Sequence, residues 1–129
     1  MPASSDLATA TLYERLGGKA AVEAAVDLFY DKIMKDGSLR PFFEGVDMKR
    51  QRSKQKIFLT AAFGGHTKYT GKTLREAHAA SVQRGLNESH FRAVAGHLHA
   101  TLKELGVSES LIQEVMAIVA STQKDVLNR

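Results

Sequence analysis

Residues 47–65 read DMKRQRSKQKIFLTAAFGG, and their pattern decides the fold. Asp47 is suited to cap a helix start, and Gly64 and Gly65 to stop one, leaving about sixteen helical residues between them. Wound at about 100° per residue, Gln51, Lys54, Gln55, Phe58 and Ala62 share one sector. Lys49, Arg52 and Lys56 share another, which reads as a solvated face. Lys54 lies about 160° from Lys56 but only about 60° from Gln51, so it groups with the amides. The first face is therefore donor-rich at its N-terminal end and apolar further on. Such a surface suits a pocket that grips a small polar ligand in an apolar cavity; it equally suits a partly buried helix whose amides and lysine reach solvent at its edge.

Upstream, Gly45 separates this helix from LRPFF, where Pro41 opens a turn and Phe42 and Phe43 bring two rings together. Asp36-Gly37-Ser38 ends a helix over residues 19–35, whose apolar stripe is Val22, Val26, Phe29, Tyr30 and Ile33. Tyr30 closes that stripe, either as a core residue with its hydroxyl at the surface or with the hydroxyl in a pocket. Thr11 and Glu14 form a capping box for TLYERL, which Gly17-Gly18 stops. Residues 1–10 are small and polar and read as a flexible N-terminal arm, with one domain over residues 11–129.

Downstream, HTKYTGK reads as a loop. Thr73 and Glu76 make a second capping box, predicting a short helix over residues 74–82. Its large apolar residues are Leu74 and Val82, and His78 stands four residues from each. Asn87 caps a helix with the stripe Phe91, Val94, Leu98, Leu102 and Leu105. Ser108 caps the last, with Leu111, Ile112, Val115 and Val119, then Val126 and Leu127 at its end. The pattern predicts an all-α fold.

Composition narrows the chemistry. The 129 residues are 43% hydrophobic and 25% charged, enough for one core. With no cysteine, disulfides, thiolate zinc sites and cysteine nucleophiles are excluded; this suits a reducing compartment but is compatible with any location, and a cytoplasmic setting is the expectation. A formal charge of +4 is too small to imply nucleic acid. No apolar run has the length of a membrane helix, and the first ten residues lack the features of a secretory signal.

Of the five histidines, His66 falls in the loop, and His90, His97 and His99 flank the Phe91 stripe. His78 alone lies on the apolar line of its own helix. It is either a core histidine bonded to a backbone carbonyl or a ligand. No second histidine or carboxylate has zinc-ligand spacing to it, whereas a haem iron asks the protein for a single strong proximal ligand.

Taken in order, LYERLGG, AVDLFYDKI, PFF, VDMKRQRSKQKIFLTAAFGG, the REAH around His78 and the ending DVLNR resemble the truncated haemoglobins, closest to group I of cyanobacterial and algal type. The resemblance implies a two-over-two helical sandwich around haem b. It makes His78 the proximal ligand, Phe43 the ring stacked on the haem, and Tyr30, Gln51 and Gln55 the groups that stabilise bound gas. Phe42, Met48, Phe58 and Tyr69 are expected against the porphyrin. Lys54 matches a distal position where some relatives hold a ligating histidine, so its amine is expected as a sixth ligand displaced by O2, NO or CO. An ordinary lysine amine gives up its proton at neutral pH at a cost of about 4–5 kcal/mol, which burial and the iron–nitrogen bond must offset. Some cyanobacterial relatives attach haem covalently through a late histidine; residues 117–129 contain none, so non-covalent haem is expected. The implied roles are reversible oxygen binding and nitric oxide dioxygenation with an external reductase, by a monomer without nucleic-acid or membrane partners. Electron transfer is an alternative. The other class of reading is a non-haem helical module binding through Lys49, Arg50, Arg52 and Lys56.

Overall fold

The computed structural model describes residues 11–64 and 71–129. The N-terminal arm, His66 and Tyr69 fall outside the described residues. Local sequence sets most element boundaries. Helix α1 (Leu12–Leu16) opens on the capping box, with Thr11 Oγ1 accepting from the Glu14 amide at 3.1 Å. It closes at Gly17, whose φ of +116° places it in the left-handed region. A Cβ there would sit 3.0 Å from that of Ala21, so glycine is required on two counts.

That turn lets α2 (Gly18–Met34) begin at once. The expected stripe is buried throughout: Val22, Val26, Phe29, Tyr30 and Ile33, with Ala25 beside them. A 3-10 turn follows at Arg40–Phe43, with Pro41 in its first turn. Its anchor is Leu39, 1% exposed, while Phe42 and Phe43 are only half-buried.

Helix α3 (Met48–Gly64) is capped by Asp47, whose Oδ1 accepts from the amides of Lys49 at 3.1 Å and Arg50 at 3.3 Å. Its deepest residues are Leu59, Ala61 and Phe63. Gln51, Gln55, Phe58 and Ala62 are half-buried along the neighbouring face, and Lys54 is exposed. Helix α4 (Gly71–Gln83) carries His78 and starts three residues ahead of the predicted Leu74. Helix α5 (Glu88–Glu104) is capped by Asn87, with His90 Nδ1 accepting from the Asn87 amide at 3.1 Å. Leu98 and Leu102 are buried, but Leu105 is 43% exposed, because the helix ends before it and it turns outward as the cap. Helix α6 (Glu109–Ser121) breaks at Thr122, and the four-residue α7 (Gln123–Val126) continues the chain.

Helix α2 packs against both α3 and α5, and α5 against α6. The result is the all-α two-over-two sandwich, with no strand among the described residues. Helix α1 touches α2, α3 and α6, while α4 packs chiefly on α7. Burial of side chains such as Val26, Ile33, Ile112 and Val115, each 1% exposed or less, contributes about 1.5–3 kcal/mol apiece. Exposed ion pairs such as Lys32–Glu104 contribute about 0–1 kcal/mol, so apolar burial decides the architecture. No helix of the described residues is long and apolar enough to cross a membrane.

Candidate functional site

Three of the predicted site residues meet at the end of α2. Tyr30 is 2% exposed. Gln51 Nε2 donates to its hydroxyl at 3.2 Å, and the hydroxyl donates to Gln55 Oε1 at 3.5 Å. Gln51 and Gln55 lie one turn apart on α3, so the face recognised from helical spacing places both amides over one phenol. The rings of Phe29 and Phe43 meet Tyr30 edge-on at 5.2 Å and 5.9 Å, fixing its orientation. Burial pushes the phenol pKa up, partly opposed by the Gln51 bond and the nearby Arg52 charge. The hydroxyl therefore keeps its proton at neutral pH and acts as a donor.

Arg52 is a site residue that the sequence pattern misassigned. It is half-buried, 5.7 Å over the Tyr30 ring. It donates to the Asp27 carbonyl at 3.1 Å and to the carboxylates of Asp27 and Asp31, each at 3.2 Å. Lys56 also pairs with Asp27, at 3.7 Å. Part of the supposed solvated face thus forms a solvent-accessible seam between α2 and α3, and two of the four cations of the basic-module reading are paired within the chain. The available signal was Asp27 and Asp31, one turn apart and flanking Tyr30.

On α4, His78 is half-buried, with Nδ1 2.9 Å from the carbonyl of Leu74. A carbonyl only accepts, so Nδ1 carries a proton, and in the neutral ring the lone pair is then on Nε2. The carbonyl bond expected of a core histidine is present, and the same bond would orient a ring that ligated a metal. Among the described residues no cluster of three or more histidines or carboxylates could hold a metal ion unaided. A single imidazole of fixed tautomer fits a metal that brings most of its own ligands, as haem iron does. Phe43, Met48 and Phe58 are half-buried at the edge of the core, where a flat apolar group would complete their burial.

Other predicted residues stand elsewhere. The Phe42 ring packs on His90 at 5.0 Å and beneath Arg84 at 5.8 Å, away from the phenol. Lys54 has no carboxylate partner among the described residues, unlike Arg52 and Lys56.

The sequence matches the bacterial-like globin family over residues 11–128. It is 53% identical over 122 residues to the group 1 truncated hemoglobin GlbN of Synechocystis sp., covering 92% of this chain and 98% of that one. Among solved structures it resembles the 2/2 hemoglobin of Synechococcus sp. PCC 7002 in the cyanomet state with covalently attached heme. That match has a TM-score of 0.88 and 47% identity, covering 93% of this chain and 100% of the other. Chlamydomonas reinhardtii THB1 aligns with a TM-score of 0.80 and 50% identity, covering 92% and 97%.

Proposed function

We propose that this chain, which belongs to the bacterial-like globins and within them to the group 1 truncated haemoglobins, binds dioxygen and other diatomic gases at a non-covalent haem b held by His78. The observation that carries this reading is the buried Tyr30 hydroxyl bracketed by Gln51 and Gln55. When bound, haem would supply an iron centre able to take a diatomic gas. His78 contributes the Nε2 lone pair, in a tautomer locked by Leu74. Phe43, Met48 and Phe58, with Phe42, would shield the porphyrin from water; Tyr69, also assigned to haem binding, lies outside the described residues.

Tyr30 and Gln51 supply the polar grip. The two bonds within the cluster are long, so the hydroxyl proton and one amide proton are readily turned toward an incoming acceptor. Gln55 orients the phenol and offers its own amide. These donors would stabilise partial negative charge on a bound gas.

Lys54, exposed on the same helix and without a carboxylate partner among the described residues, would offer its amine to the iron in the absence of gas. A ligating amine must be unprotonated, so acid competes with iron for it. We extend the reading to nitric oxide dioxygenation by a monomer served by an external reductase. Ferric absorption spectra across pH test the Lys54 assignment. The expected result is a low-spin form that declines as pH falls and is absent from Lys54→Ala; an unchanged low-spin spectrum in that variant rules the ligand out.

A further inference from the structure

The tail of the chain is bonded to the helix that carries His78. Among the described residues, α4 has α7 as its main helical neighbour. From the tail, Asp125 Oδ1 accepts from Arg75 Nε at 2.8 Å, and the main-chain oxygen of Arg129 accepts from Arg75 Nη2. In return, Asn128 Nδ2 donates to the Arg75 carbonyl at 3.2 Å. Arg129 pairs in addition with Glu88 at the start of α5, tying the tail to the main sandwich.

Two features make this more than surface pairing. Asn128 has a φ of +58°, the one positive value outside glycine among the described residues. Asparagine tolerates that region better than most residues, and such backbone persists where surrounding bonds hold it. The turn lets the Asn128 amide reach back across α7 to α4. The second feature is position. Arg75 directly follows Leu74, whose carbonyl orients the His78 ring. The tail thus grips the side chain and the carbonyl of the residue next to the group that fixes the imidazole.

We propose that residues 123–129 form a positioning clamp for the proximal ligand, in which Asp125 and Asn128, acting through Arg75, set the angle and firmness with which His78 holds iron. The proposal rests on the assignment of His78 as proximal ligand. A hydrogen bond to the far nitrogen of a ligating histidine tunes its orientation and basicity, and here the tail restrains the backbone that makes this bond.

The test uses the full chain loaded with haemin and reduced, in a Lys54→Ala background so that the iron keeps one protein ligand. The iron–histidine stretching band is recorded by resonance Raman, and haem transfer to excess apomyoglobin is timed. Asn128→Gly retains the left-handed turn and removes only the amide; Arg75→Ala removes both side-chain bonds. Each is expected to broaden the band, move it to lower wavenumber, and speed haem loss about fivefold, equivalent to about 1 kcal/mol. Arg15→Ala breaks the two-bond pair with Glu114, far from α4, and is expected to change neither readout. Should Arg75→Ala not fold, Asn128→Gly decides. The clamp is overturned if Asn128→Gly leaves band and rate as in the parent, or if Arg15→Ala shifts them equally. A parent protein that takes up no haem, or shows no iron–histidine band, removes the His78 assignment itself and the clamp with it.

Discussion

Tyr30 has one proton to donate, and in the described structure it goes to Gln55 over a long 3.5 Å bond. Redirecting that proton to a bound gas sacrifices little, which is why the phenol is the strongest candidate for retaining oxygen. Tyr30→Phe keeps the ring packing with Phe29 and Phe43 and removes only the hydroxyl. Stopped-flow measurement should find oxygen released about tenfold faster, the equivalent of one hydrogen bond of about 1.4 kcal/mol. A second residue-scale device lies at the corner after α2. The Asp36 carboxylate accepts from Ser38 Oγ at 2.7 Å, from His97 Nε2 at 2.7 Å and from the Ser38 amide at 2.9 Å. These bonds, the Ser38 hydroxyl first, lower its pKa from 3.8 to about 2. A depressed carboxyl pKa stabilises the fold fully above the unfolded value and loses that contribution as pH falls through the folded one. Acid unfolding followed by circular dichroism should show Asp36→Asn less stable at neutral pH and lacking the part of the acid dependence between pH 3.8 and about 2. Superimposable curves for the two proteins would contradict this role.

At the scale of the element, capping was legible because it is written within four residues. Thr11, Asp47, Asn87 and Ser108 all cap as their local sequence implies. Helical spacing likewise grouped Gln51 with Gln55, because a period fixes which residues share a face. It does not say what lies opposite. Arg52 and Lys56 read as solvated because their carboxylate partners are on α2, about twenty-five positions earlier in the chain. Leu39 was hidden in a turn, outside any helical stripe, and the His97–Asp36 pair spans 61 positions. The start of α4 was set too late because Thr73 resembled a cap, whereas the backbone is already helical from Gly71. On α5, Thr101 is 0% exposed and its hydroxyl has no partner among the described residues. An isosteric valine removes that desolvated group without opening a cavity. Thr101→Val should raise the thermal midpoint, with a gain of about 1 kcal/mol by denaturant titration; a loss of stability would point to an unrecognised use of the hydroxyl.

Across the whole molecule, α2, α3, α5 and α6 form a sandwich, while among the described residues α4 packs chiefly on α7. The donors of Tyr30 and its amides belong to that sandwich, and the imidazole of His78 to α4. If His78 holds iron as proposed, restraint of α4 by the tail is what bears on how it does so. The most direct measurement is haemin uptake by the purified apoprotein, wild type against His78→Ala, followed by the Soret band and by the iron–histidine stretch of the ferrous form. The wild type should turn red, retain haem and show the stretch; His78→Ala should lose haem far faster and show no such band. A colourless wild type, or a variant holding haem as firmly with the band unchanged, would contradict the assignment of His78 as the residue that binds iron.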